Sequence, residues 1–279
     1  MKLTSINTGY FKLDGGAMFG IVPRSMWAKL NPPDENNLCT WSLRLLLIET
    51  DTQKILVDTG IGDKFDDKFR SHFNPFGEEN LTSGLEKAGV SADEITDVFL
   101  THLHFDHVGG ALRIDENGKS VPTFRNAKYW TNSKHYKWAM KPNEKEKASF
   151  LKENFVPLKE QKVLHFVDKQ LVRPFGENIS IEYAHGHTES LMMLHIRTPT
   201  QHYVYAADAM PSSFHTSLPF VMSYDVRPLV SLKEKESLLN RAVDNNWIVL
   251  FEHDPNLVGA KYTRLPNGRI VLGETFEKI

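Results

Sequence analysis

The 279-residue chain has a single cysteine, Cys39, so no intrachain disulfide framework can form. With no partner motif beside it, Cys39 is read as a small buried apolar residue and not as a reactive thiol. No apolar run approaches the length needed to cross a bilayer. Residues Met1 to Tyr10 lack a basic segment followed by an apolar core, so no secretory signal is expected and a cytoplasmic location is. Excess charge of either sign is also missing: 33 Lys and Arg stand against 35 Asp and Glu, a formal net charge of -2. Both signs are interspersed, so neither nucleic acid nor an anionic membrane is an expected partner. The chain has no internal repeat, no low-complexity tract and no Ser/Gly linker, and residues 1–279 are expected to form one domain.

What is present is an ordinary globular composition, 41% hydrophobic and 24% charged, on a chain long enough to bury a sizeable core. Leu43 to Ile48 and Lys54 to Val57 read as paired strands joined by a turn at Glu49 to Gln53. Asp58-Thr59-Gly60 then makes a turn at a strand end. Leu81 to Ala88 is a short amphipathic helix that Gly89 can end. Ile95 to Leu100 is an apolar strand. Helices are expected at Lys134 to Met140, across the Lys- and Glu-rich stretch Lys145 to Phe155, and at Leu232 to Val243. Strands are expected at Lys162 to Val167, Ile179 to Tyr183, Met192 to Ile196, His202 to Ala206 and Trp247 to Phe251. Strands in both halves, each followed by helical stretches, predict a layered α/β sandwich.

The strongest chemical signal is Thr101-His102-Leu103-His104-Phe105-Asp106-His107-Val108-Gly109-Gly110, delivered by the apolar strand before it. On extended backbone alternate side chains point the same way, so His102 and His104 can reach one ion together. A turn into helix near Asp106 would bring that carboxylate and His107 to the same cavity. Imidazoles and carboxylates suit divalent zinc, and iron, cobalt or manganese use them too. A chance run of surface histidines is the competing explanation. Three histidines and an aspartate within six positions, in a chain with 12 histidines, argue against it. Further donors stand at predicted strand ends: His187 in Ala184-His185-Gly186-His187-Thr188, Asp208 after the His202 strand, and His253 after the Trp247 strand.

This series resembles the metallo-β-lactamase superfamily, whose pattern is an Asp-Thr-Gly turn, Thr-His-x-His-x-Asp-His-x-Gly-Gly, Gly-His-Thr, a lone Asp and a lone His. All stand here in order, from Asp58 to His253. The resemblance implies an αββα sandwich of two mixed sheets flanked by helices, with two divalent metal ions, zinc foremost. It gives His102, His104 and His187 to one ion and Asp106, His107 and His253 to the other, with Asp208 bridging. Where the family often has a glycine two positions after Thr188, this chain has Ser190. The run Leu13 to Gly20, followed by Val22-Pro23 and Trp27, is similar to the YtnP-like branch, which is associated with N-acyl-homoserine lactone hydrolysis and related to the methyl parathion hydrolases. Residues 1–40 would then form an N-terminal segment lining the cleft. Some lactonases of the superfamily place a tyrosine three residues after the bridging Asp, where this chain has Pro211.

The expected chemistry is hydrolysis by a hydroxide bridging two ions about 3.5 Å apart, with Asp106 shuttling a proton to the leaving oxygen. A small ester or lactone is the expected substrate, with an organophosphate or aryl ester, or a glyoxalase II-like thioester, as alternatives on the same metals. Association as a homodimer is left open. Asp58 reads either as a carboxylate behind a metal-bound histidine or as a cap on its own turn. His185 is expected beside the ligands and not among them. His72, His135, His165, His195, His202 and His215 are read as ordinary surface or packed histidines. Phe105, Met18, Phe19 and Trp27 could contact an apolar substrate or fill the core.

Overall fold

In the computed structural model, which describes residues 1–170 and 173–279, the chain begins with β1 (Lys2–Asp14), α1 (Gly15–Phe19) and α2 (Arg24–Trp27). β2 (Leu38–Glu49) and β3 (Lys54–Val57) form the predicted hairpin, closed by the Thr50 N–H donating to the Gln53 carbonyl at 2.9 Å. Then follow α3 (Asp67–Phe73), α4 (Leu81–Lys87), β4 (Asp97–Phe99), α5 (Phe105–Val108), β5 (Leu112–Ile114), β6 (Ser120–Pro122), β7 (Lys128–Thr131), α6 (Ser133–Met140), α7 (Val156–Glu160) and β8 (Leu164–Phe166). The C-terminal part holds β9 (Ile179–Ala184), β10 (Leu191–Arg197), β11 (His202–Tyr205), α8 (Pro228–Asp244), β12 (Ile248–Leu250), β13 (Gly259–Arg264) and β14 (Ile270–Phe276). Two compact units result: Met1–Gly9 with Leu43–Gly176, and Tyr10–Ser42 with Glu177–Ile279.

One six-stranded sheet runs β1-β2-β3-β4-β7-β8. Within it β2 and β3 are antiparallel, while β3, β4, β7 and β8 are parallel. Parallel strands deliver their C-terminal ends to one edge. Asp58 leaves β3, Thr101 follows β4 and Asn132 follows β7, so the turns after these three strands are neighbours. The core of this unit is apolar and fully buried, with Leu45, Leu47, Leu56, Val98, Phe124 and Leu158 at its centre.

The second sheet runs β14-β13-β12-β11-β10-β9. β10 is antiparallel to both β9 and β11, and β11 is parallel to β12, so β9, β11 and β12 point the same way. Tyr205 and Leu250 are register partners, which places Asp208 and His253 each three residues past the same level of the sheet. His187 lies three residues past β9 at that same edge. The mixed sheets and helices bear out the α/β class expected from the sequence. Among the described residues, no helix is long and apolar enough to cross a membrane.

Several boundaries differ from expectation. β4 is three residues long, short of the expected strand at both ends, although the Leu100 N–H still donates to the Trp130 carbonyl at 2.9 Å. The predicted helix over Lys145–Phe155 does not form: the stretch is a run of turns with a short 3-10 segment at Lys152–Asn154. There the Asn143 side chain accepts the backbone N–H groups of Lys145 and Glu146, at 2.9 and 3.1 Å, and Glu146 and Phe150 are drawn inward. Met18, Phe19 and Trp27 are at most 2% exposed, so they are core residues: Phe19 stacks on Trp27 at 5.4 Å, and a Cβ on Gly15 would strike the Trp27 ring at 2.3 Å. Cys39 is buried with its Sγ 3.2 Å from the Asn31 carbonyl, and burial pushes its thiol up to about 11, the inert cysteine expected.

α8 carries one buried cation. Lys235 is 3% exposed and donates to the Ser217 and Phe220 carbonyls at 3.0 and 2.8 Å. Loss of hydration pushes its pKa down to about 8, against a smaller opposing pull from Asp225. Between pH 8 and the ordinary 10.5 the unfolded chain therefore holds a proton at this lysine that the folded chain has released, and stability rises with pH across that window. Denaturation of wild type and Lys235→Met from pH 7 to 10.5 should show the wild type gaining on the variant by on the order of 3 kcal/mol. A constant difference would mean that Lys235 is solvated.

Candidate metal-binding residues

In the first unit the Asp-Thr-Gly turn is the platform on which the histidine run is built. Asp58 adopts φ 60° and its N–H donates to the Phe99 carbonyl at 2.8 Å, tying the end of β3 to β4. Thr59 donates through N and Oγ1 to the His107 carbonyl at 2.8 and 2.9 Å, and the Gly110 N–H donates to the Gly60 carbonyl at 3.0 Å. The two backbones lie so close that a Cβ on Gly109 would sit 2.1 Å from the Ile61 oxygen, and one on Gly110 2.2 Å from the Thr59 oxygen. That contact is the reason for the paired glycines.

The Asp58 carboxylate, fully buried, accepts the Thr101 N–H at 2.8 Å, the Thr101 hydroxyl at 2.6 Å and His107 Nδ1 at 3.1 Å. It therefore acts behind the histidines, the first of the two readings given above. Because the Thr101 hydroxyl spends its proton on Asp58, its oxygen accepts from His102 Nδ1 at 3.1 Å. The proton of His102 is thereby fixed on Nδ1, and the lone pair of Nε2 points at His104 Nδ1, 3.1 Å away. On the other side of His104, Nε2 lies 3.7 Å from Glu146 Oε1. α5 begins at Phe105, as the turn into helix predicted, and sets Asp106 Oδ2 3.7 Å from His107 Nε2.

The second unit follows the same logic. His253 donates through Nδ1 to the Ser42 carbonyl at 2.8 Å, and His187 Nδ1 faces Asp225 Oδ1 at 2.9 Å. A carbonyl and a carboxylate can only accept, so both Nε2 atoms carry lone pairs in the neutral rings. Each faces one oxygen of Asp208: His187 Nε2 lies 3.1 Å from Oδ2, and His253 Nε2 lies 3.1 Å from Oδ1. One carboxylate thus holds an oxygen toward each imidazole, as a bridging ligand does. The His187 turn is clamped from α8: Glu234 accepts the His185 and Gly186 N–H groups at 2.7 and 3.0 Å, and the Val226 N–H donates to the His187 carbonyl at 3.1 Å.

Acceptors turned toward one another inside a buried site repel unless a cation lies between them. Asp208 with His187 and His253 therefore suits divalent ions bound by nitrogen and oxygen donors, and His102 with His104 does so when His104 carries its proton on Nε2. The donor set fits zinc, and carboxylates or threonine hydroxyls behind the rings fix their tautomers as metal-bound histidines require. His185 turns to Glu189 at 3.0 Å and stays outside the set. Sequence reasoning missed Asp225, Glu146 and Glu234. His135, read as a surface or packed histidine, is packed: it is buried and accepts the Leu103 N–H at 2.9 Å, bracing the His102–His104 loop.

An aromatic cluster adjoins the ligand run. Phe105 meets Phe73 at 4.4 Å and Phe69 at 5.3 Å, and Phe69 stacks on Phe65 at 4.2 Å. α3 buries none of its residues fully, so Phe69 and Phe73 keep part of their rings accessible over the buried Phe105.

The family model described as "Metallo-beta-lactamase superfamily" matches residues 45–253. The chain belongs to the metallo-β-lactamase superfamily. The N-acyl homoserine lactonase AiiA of Bacillus thuringiensis subsp. kurstaki is 25% identical over 243 residues, covering 82% of this chain and 87% of its own. A crystal structure of a probable metal-dependent hydrolase from Staphylococcus aureus superposes with TM-score 0.85 at 27% identity, over 99% of this chain and 98% of its own. AidC, a dizinc quorum-quenching lactonase solved with a product, shares the fold at TM-score 0.77 and 21% identity, over 98% and 94%. The chain is thus a metallo-hydrolase by family, as its motifs imply.

Replacing Gly109 by Ala should lower the unfolding free energy of the metal-free chain by about 2–3 kcal/mol or more, since Ile61 backbone must move. Chemical denaturation measures it, and an unchanged midpoint would show that the two backbones are not held in contact.

Proposed function

We propose that this protein is a dinuclear metal-dependent hydrolase that opens an ester or lactone, N-acyl-homoserine lactones being the favoured class, with both units working as one catalytic domain. The observation that carries the reading is the set of imidazole lone pairs turned on other acceptors, with the far nitrogens of His102, His187 and His253 each given a partner. In this reading His102, His104 and His187 hold one ion, Asp106, His107 and His253 the other, and Asp208 serves both. Zinc is the expected metal, and iron, cobalt or manganese fit the same donors. Similarity to the lactonase AiiA supports the substrate class.

Bound divalent ions supply Lewis acidity toward a carbonyl oxygen and make hydroxide available near neutral pH. The chain's own groups do the rest. Asp58, through Thr101 and His107, keeps the donor rings in one orientation, so no reorganisation is needed during reaction. Asp106 is 8% exposed, and in this reading its carboxylate takes a proton and returns it to the departing alkoxide. Phe105, Phe69 and Phe73 offer apolar surface to an acyl chain. Pro211 stands where some lactonases carry a tyrosine, and its carbonyl accepts the His253 N–H at 2.9 Å, so this position serves the backbone and not the substrate.

Chelated protein reloaded with zinc or cobalt should release acid from N-acyl-homoserine lactones, followed by titration across a series of chain lengths. Asp208→Ala should reduce release to the uncatalysed rate. No acid from any chain length would remove the lactone assignment. Turnover of a chromogenic phosphotriester in its place would transfer the same centre to organophosphate hydrolysis.

A further inference from the structure

Glu146 lies in the Lys- and Glu-rich stretch that leaves helical geometry, yet its side chain is 2% exposed. A carboxylate buried that deeply needs donors, and Glu146 has two on one oxygen: Oε2 accepts Trp138 Nε1 at 2.8 Å and Asn143 Nδ2 at 2.7 Å. Indole and amide nitrogens donate only, so Oε2 carries no proton. The remaining oxygen, Oε1, lies 3.7 Å from His104 Nε2, an electrostatic contact longer than a hydrogen bond. Phe150, from the same run of turns, covers the His104 ring at a centroid distance of 4.6 Å, and the Ser149 carbonyl accepts the Phe105 N–H at 3.0 Å. Glu146, Ser149 and Phe150 are therefore folded against the His104–Phe105 segment, while Glu144, Lys145 and Lys147 stay exposed.

We propose that Glu146 is the positioning residue of His104: it keeps the ring proton on Nε2 and leaves the Nδ1 lone pair for the metal. The opposite edge of His104 calls for this assignment if the pair binds a metal ion. His102 Nε2 points its lone pair at His104 Nδ1 from 3.1 Å, and both nitrogens can serve one cation only if Nδ1 of His104 is unprotonated. His102 receives its tautomer from Asp58 through the Thr101 hydroxyl, and His104 receives the complementary one from Glu146. The carboxylate also makes the imidazole a better donor, since a negative charge behind the ring raises its basicity. The proposal rests on the metallo-hydrolase reading of the site, and Glu146 acts through His104 without touching substrate.

The test reads the tautomer directly. Ring-nitrogen NMR of the full chain, metal-free and zinc-loaded, should show His104 as the Nε2–H form in wild type. In Glu146→Gln the metal-free His104 should become a mixture of tautomers, and zinc affinity, measured by competition with a chromogenic chelator, should fall about 10- to 100-fold. Asn143→Ala, which loosens Glu146 without removing it, should give a smaller loss. Wild-type His104 carrying its proton on Nδ1 would overturn the proposal, as would unchanged tautomer and zinc affinity in Glu146→Gln. If Glu146→Gln does not fold, the wild-type spectrum and Asn143→Ala still decide. Should wild type bind no zinc, the metal reading fails, while the metal-free tautomer continues to report on Glu146 alone.

Discussion

An imidazole has two nitrogens, and only one can be offered to a metal ion; the other must be given something to do. That constraint organises most of the buried polar chemistry in this chain. Asp58 serves His107 directly and His102 through Thr101, while Asp225 serves His187 and the Ser42 carbonyl serves His253. Each partner is itself held in place. Asp58 accepts a backbone N–H, and Ser42 and His253 exchange a second bond through the Ser42 N–H and the His253 carbonyl at 3.1 Å. The rings are therefore oriented by the chain itself, and an ion bound by them would meet little opposing ordering entropy.

The sheets supply the second half of the argument. Three parallel strands end beside one another in the first unit, and three co-directed strands end at one edge in the second. Strand ends are where a backbone can leave a rigid layer and still be pinned to its neighbours. Asp58, His102, Asp208 and His253 all follow a strand within three residues. Such positions inherit the precision of the sheet, which loop residues farther out do not.

Much of this was legible in the sequence because the signals were local. His102, His104, Asp106 and His107 sit in six consecutive positions, and the hairpin from Leu43 to Val57 was readable from its pattern. The partners behind the rings were not readable. Asp225 lies 38 residues from His187, and Glu146 lies 42 from His104 inside a stretch whose lysines and glutamates read as a solvated helix. Nothing in a sequence distinguishes a buried carboxylate from an exposed one when its donors are Trp138 of α6 and Asn143 of the turn that follows. Met18, Phe19 and Trp27 failed in the opposite way: their apolar character suited substrate or core equally, and burial alone decided it.

Ser190 shows how far such a scaffold can override local preference. The family pattern favours glycine there, and the structure gives the physical reason: φ is 60°, a region that costs a side-chain-bearing residue about 1–2 kcal/mol. Serine persists because its surroundings determine the backbone. Its hydroxyl donates to Glu189 Oε1 at 2.9 Å, Arg227 donates to Glu189 Oε2 at 2.8 Å and to the His185 carbonyl at 2.6 Å, and Glu234 takes the two N–H groups of the turn. Arg227 is the N-cap of α8 and Glu234 lies in its second turn, so the helix and not a glycine fixes the turn that carries His187. The same turn can thus be reached by conformational freedom or by external bracing, and this chain uses the second.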